Sequence, residues 1–153
     1  MLTRCLNFAL FTLIVLLPGC ASLSLEPAIF AWPVESVLTV NSMNMIEEGR
    51  YALAVNVGSL AIAEFSDSTA LWGITLRVIR NGQGYYFITG PRFKHVYVFR
   101  TGEGSLVGTS RIAVSTTGLT SPAFNQRAPY VELVDGSAPP RLLTNSDLVE
   151  EKQ

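Results

Sequence analysis

The sequence predicts an all-β domain, a small antiparallel β-sandwich, with a small β-barrel as the alternative closure. Three observations carry this. From Val37 onward, apolar residues recur with period two and not 3.6. Turn residues interrupt these runs roughly every ten residues, which marks out about eight short strands. The patterned region contains no cysteine, so its stability must come from a packed core. Just over 100 residues suffice for that, burying roughly two-thirds of the unfolded surface.

Val37 opens the first run. The stretch Ser42 to Glu48 is the exception to the β pattern and reads as one helical turn before Gly49. Tyr51, Leu53, Val55 and Val57 alternate with smaller or polar residues, and Gly58-Ser59 reads as a turn between two apolar strands. Trp72, Ile74, Leu76 and Val78 alternate with Gly73, Thr75 and Arg77. Asn81-Gly82-Gln83-Gly84 is the strongest hairpin signal, because Asn-Gly tolerates the positive φ angles of a type I′ turn. Thr89-Gly90-Pro91 breaks the next connection, and Gly102-Glu103-Gly104 closes another hairpin. Gly108 within the following run predicts a bulge. Tyr130 to Val134 reads as the last strand, and the end of the chain is polar and acidic.

Chemistry-bearing patterns are sparse. The only histidine, His95, lies in a strand and reads as a packed or exposed residue. No Gly-x-Ser-x-Gly, Ser-x-x-Lys or His-Glu-x-x-His occurs. A zinc site needs three or four His, Cys or carboxylate ligands, and the patterned region has one histidine and no thiolate to offer. Glu64 could pair with Glu103 or Glu132, but no spacing supports a glycosidase-like pair. The glycines at 82, 84, 102 and 104 lie in hairpins and open no helix, which argues against a phosphate loop. The reading is a protein that is not an enzyme and holds no metal or cofactor.

One charge feature stands out. Ser68 to Gly102 contains no Asp or Glu, yet carries Arg77, Arg80, Arg92, Lys94 and Arg100 among interleaved aromatics. These five are the candidate ligand-binding residues. A basic, aromatic sheet can hold anionic partners by charge and stacking. The competing reading makes the aromatics core and the cations the solvent side of amphipathic strands. For Arg77, Lys94 and Arg100 to share an outer face, Val96 and Val98 must point outward and the aromatics Phe93, Tyr97 and Phe99 inward. That arrangement is favoured here because aromatics bury more area.

The N-terminus carries an address. Arg4 precedes an apolar run from Leu6 to Leu17, which is followed by Pro18, Gly19 and Cys20. The run is the size of a signal core and short of the roughly 20 residues that span a bilayer. Leu17 and Gly19 around Pro18, ending at Cys20, resemble the lipobox of bacterial lipoprotein precursors. The resemblance covers residues 1–20 and implies cleavage before Cys20, lipidation of its thiol and stable anchoring by two or more acyl chains. Pro18 departs from the small residue usual there. Asp does not follow Cys20, which in a diderm host favours the outer membrane with the domain facing the periplasm.

The organisation read from this is a signal peptide at 1–19, a lipidated tether at 20–35, a β-sandwich at 36–145 and a disordered tail at 146–153. The tether carries Leu23, Leu25, Ile29, Phe30 and Trp32, so it is expected to pack on the domain or meet the lipid interface. The expected function is a membrane-anchored, protein-binding accessory subunit of an envelope assembly. The alternative is a binding module for an anionic glycan, lipopolysaccharide or lipid. Nucleic acid is not an expected partner in that compartment.

Overall fold

The strands form where β-branched and aromatic residues alternate, as in Thr75–Arg80, Tyr85–Thr89 and His95–Gly102. The computed structural model describes residues 35–51 and 53–149. Cys20, the segments read as signal and tether up to residue 34, and residues 150–153 lie outside the described residues.

In chain order the elements are β1 (Ser36–Thr39), β2 (Met45–Glu48), β3 (Leu53–Asn56), α1 (Gly58–Phe65), β4 (Thr75–Arg80), β5 (Tyr85–Thr89), β6 (His95–Gly102), β7 (Ser105–Ala113), β8 (Pro122–Arg127), β9 (Tyr130–Asp135) and β10 (Arg141–Leu143). They make a five-stranded sheet in the order β1-β4-β5-β6-β7, a three-stranded sheet β10-β9-β8 and a β2-β3 pair. Every pairing is antiparallel. No sheet closes into a barrel, and the fold is a small all-β sandwich.

The register of the large sheet explains its core. Ile79, Phe87, Val98 and Ser110 form one cross-strand row. This row faces the small sheet, where the Phe87 and Phe124 rings meet edge-on at 6.5 Å between centroids. The next row, Val78, Ile88, Tyr97 and Arg111, points to the other face. There α1 sits, with Phe65 edge-on to Phe93 at 5.2 Å. The middle of the large sheet is therefore covered on both sides. Each large side chain buried in this way contributes about 1.5–3 kcal/mol.

This double coverage corrects the expected orientation of β6. Val96 and Val98 do not point outward; both are 0% exposed, and Phe93 and Tyr97 are buried on the opposite side. Choosing between the two rows assumed that one face meets water, whereas here both are core.

Three local expectations are also corrected. Ser42 to Glu48 is not a helical turn. Asn41 Oδ1 accepts the N–H groups of Met43 and Met45 at 2.9 and 3.0 Å, which closes a tight turn, and Met45–Glu48 continues as β2. Its period of two buries Ile46 and Glu48. Gly58-Ser59 is not a turn between strands but the start of α1. Asn56 Oδ1 accepts the Gly58 N–H at 2.9 Å, and Leu60 and Ala61 face the core. The helix stops at Ser66, whose φ is 60°. The β4–β5 hairpin has four loop residues, and its positive φ falls at Gly84 (86°), not at Asn81-Gly82. Asn81 repeats the role of Asn41: its Oδ1 accepts the N–H groups of Gln83 and Tyr85, both at 3.0 Å.

The β7 bulge lies where Gly108 suggests. Val98 pairs with Ser110 and Phe99 with Gly108, so Thr109 is the extra residue. The described residues contain ten strands, and β8 and β10 are the additions at the C-terminal end. Beyond residue 145, Leu148 bridges to Leu143 and the Val149 N–H donates to the Leu142 carbonyl at 2.8 Å. The paired chain thus runs at least to Val149.

Candidate functional site

A buried carboxylate is the most connected polar group on the α1 side of the sheet. Glu64 lies in the last turn of α1 with only 2% of its side chain exposed. Its Oε1 accepts the backbone N–H of Lys94. Its Oε2 accepts the Tyr97 hydroxyl at 2.8 Å and stands 2.8 Å from His95 Nδ1. An ionised carboxylate only accepts, so Nδ1 carries the hydrogen in this contact. Burial pushes the Glu64 carboxyl upward, but the bonds from Lys94, Tyr97 and His95 outweigh it and hold the group below the ordinary range. The same burial, with the facing carboxylate, pushes the Tyr97 phenol well above its ordinary value. Arg111, from the neighbouring strand, partly offsets this.

This cluster was not legible as long as 58–65 was read as strand. With the helix in place, Glu64 is its one charged residue, and His95 and Tyr97 share strand parity on the face that α1 covers. Three donors from the start of β6 converge on one carboxylate and clamp the helix to the sheet. Among the described residues, no group of three or more His, Cys, Asp or Glu could hold a metal ion.

The five basic residues are not brought together. Arg77 and Arg100 project to the small-sheet side, but the buried Ile79–Phe87–Val98 row lies between them. Arg77 is paired with Glu35 at 3.1 Å. Arg80 is on the opposite face, its guanidinium 5.6 Å from the centre of the Tyr86 ring. Arg92 sits in the β5–β6 connection with φ 70°, donates to the Ala70 carbonyl at 3.0 Å and lies over the Phe65 ring at 5.1 Å. Lys94 and Arg100 are exposed at the two ends of β6. The acid-free run therefore supplies scaffold contacts at Arg77, Arg80 and Arg92, and open charge at Lys94 and Arg100. Cys20 lies outside the described residues.

The sheet edges differ in how they are closed. On β8, Pro122 has no N–H to offer, and the Phe124 N–H is taken by Glu35 Oε1 at 2.7 Å. On β10, residues 148 and 149 pair with the outer side. Among the described residues β7 is the longest strand, nine residues, and lies at the end of its sheet with β6 as its one strand partner. Most of its residues are exposed, Val107 by 53%. Between the tip of the β6–β7 hairpin and β3 runs an open groove of about 490 Å³, lined by Leu53, Val55, Asn56, Thr101, Ser105 and Leu106.

Set against known protein families, curated proteins and solved structures, the chain matches none.

Proposed function

We propose that this chain is a lipid-anchored envelope protein that acts by binding another protein, as an accessory subunit of an envelope assembly, and carries out no catalysis of its own. The lipobox-like sequence ending at Cys20 supports the anchor. The observation that supports the binding role is β7, a nine-residue edge strand whose one strand partner among the described residues is β6, whereas the β8 and β10 edges are blocked. Open edges of this length are templates for pairing with another chain. The Glu64 cluster fits a structural brace, since all its donors serve to hold α1 in place.

The reading of an anionic glycan or lipid module has less support. It needs the five cations on one surface, and Arg77, Arg80 and Arg92 are each engaged within the domain.

Two measurements test the proposal. Cys20→Ser should abolish incorporation of a labelled fatty acid; equal labelling of both proteins would refute the anchor. Crosslinking in intact cells, followed by purification, should yield a stoichiometric protein partner. Retention on purified cell wall or lipopolysaccharide, with no crosslinked protein, would overturn the subunit role in favour of the ligand module.

A further inference from the structure

We infer that Arg141, with the bend at residues 115–117 beside it, forms a binding site for a carboxylate group. This goes beyond the subunit role and depends neither on the β7 edge nor on the five cations of the acid-free run.

Arg141 stands in a row that is otherwise apolar. It pairs with Leu133, which pairs in turn with Phe124, and residues opposite one another share a face. Leu143, two residues on along β10, takes the same side. Phe124, Leu133 and Leu143 are all buried, and Phe124 meets Phe87 of the large sheet, so Arg141 points between the sheets. It is partly buried there, and its Nη1 donates to the Val114 carbonyl just past β7. Among the described residues it makes no ion pair. Asp135, the acid on the same face of β9, gives its Oδ1 to the N–H groups of Thr120 and Ser121. A cation drawn partly out of water with no counter-ion is unfavourable, and an anionic group from a ligand relieves that.

The free donors select the ligand. With Nη1 held by Val114, the Nε and Nη2 hydrogens form a parallel pair that has no partner among the described residues. That edge matches the two oxygens of a carboxylate. Arg141 lines an open groove of about 470 Å³ together with Ser115, Thr116 and Thr117. Ser115 Oγ accepts the Gly118 N–H at 2.9 Å and so keeps its own hydrogen to give. The hydroxyl and backbone N–H groups of Thr116 and Thr117 make no hydrogen bond among the described residues. The field has the right sign: from Gly104 to Val131 the sequence contains no Asp or Glu, and exposed Lys94 lies beside the bend, its carbonyl taking the N–H groups of Val114 and Ser115. One fixed guanidinium edge among uncharged hydroxyls suits a planar monoanion over a phosphate dianion.

A carboxylate comes from a small acid or from an acidic side chain of a partner protein, and the experiment separates the two. The isotope-labelled full chain in detergent is titrated with N-acetylglycine and with its neutral amide at constant ionic strength, and followed by NMR. The acid should saturably shift the Arg141 Nε–H and the amides of Thr116 and Thr117, while the amide leaves them in place. Arg141→Gln should weaken the acid at least about tenfold, and Arg141→Lys, which keeps the charge but loses the paired donors, at least about fivefold. Should these variants fail to fold, Thr116→Val with Thr117→Val decides: both residues are exposed, and the pair should weaken binding at least about threefold at an unchanged melting midpoint. Equal shifts with acid and amide, shifts confined to other residues, tighter binding of methyl phosphate, or undiminished binding in a folded Arg141→Gln would each overturn the proposal. So would a Glu150→Gln, Glu151→Gln variant that moves the Arg141 signal and tightens N-acetylglycine, since the chain's own end would then fill the site. In intact cells, a crosslinked partner lost by folded Arg141→Gln assigns the carboxylate to that protein. A partner retained by Arg141→Gln, with N-acetylglycine binding lost, assigns it to a small acid and leaves the subunit role intact.

Discussion

Tyr97 donates its hydroxyl to Glu64 at 2.8 Å, so a strand in the middle of the large sheet holds the last turn of α1 through one buried carboxylate. Tyr97→Phe removes that donor and leaves Glu64 with the His95 and Lys94 bonds. The expected cost is about 1–3 kcal/mol, read as a lower urea midpoint. Glu64→Ala should cost more, because it strands the donors of Lys94, His95 and Tyr97 together. An unchanged midpoint in both variants would show that the clamp contributes nothing to stability.

Three carboxyls are held below their ordinary values, Glu48, Glu64 and the exposed Asp67, and the first two, with buried side chains, predict how stability varies with acid. Bonds from Arg50 and Ser36, against the opposing pull of burial, hold Glu48 at about 2, compared with 4.5 unfolded. Glu64 is also below 4.5. Between the folded and unfolded values the unfolded chain binds more protons, so stability rises with pH in that window. The stabilisation is complete above about 4.5 and is lost as pH falls through the folded values. Melting midpoints should therefore fall from pH 5 toward pH 2, with Glu48 and Glu64 together taking up to about two protons on unfolding. Glu48→Gln should flatten the lower part of that slope. Added salt should weaken the Arg50–Glu48 contribution, since 45% of the Arg50 side chain is exposed.

In the β4–β5 hairpin, Gly84 has φ 86° and Gly82 does not lie in the left-handed region. Gly84→Val should cost about 1 kcal/mol or more, because a β-branched residue resists that conformation. Gly82→Ala should change stability by less than about 0.5 kcal/mol, since nothing lies within 4 Å of the added carbon. Thermal melts of the two variants separate these outcomes. The reverse order would move the strained position to the Asn-Gly pair.

Period-two alternation was enough to place β4 to β7, and glycines to place the turns and the bulge beside Gly108, but alternation did not show which face of β6 is buried, because both are. It failed where local side-chain bonding overrode composition. Asn41 and Asn56 act on backbone N–H groups close in sequence, one to close a turn before β2 and the other to start α1. Neither role leaves a mark in hydrophobic spacing. β8 was passed over because Pro122, Asn125, Gln126 and Arg127 leave little alternation to see. The Glu64 cluster needed residues 31 and 33 positions apart in the chain, and nothing local links them. The acid-free run was visible as charge, but which cations are engaged depends on Glu35, Ala70 and the rings of Tyr86 and Phe65, which only the fold brings near.

That division yields the last prediction. Glu35 ties β4 to β8: Oε2 meets the Arg77 guanidinium at 3.1 Å, and Oε1 accepts the Phe124 N–H at 2.7 Å. The pair is partly buried, with side-chain exposures of 29% for Arg77 and 16% for Glu35. Arg77→Glu would set two carboxylates against each other at this seam and should destabilise the domain by about 1–3 kcal/mol. Arg100 is exposed and opposite Tyr85 and Val107, so Arg100→Glu should stay within about 0.5 kcal/mol. Glu35→Arg combined with Arg77→Glu restores opposite charges but removes the acceptor for Phe124, so it should recover only part of the loss. Urea unfolding of the single and double variants measures each step. Equal, small effects at Arg77 and Arg100 would mean that the Arg77–Glu35 seam adds nothing to the fold and that Arg77 is as open to a ligand as Arg100.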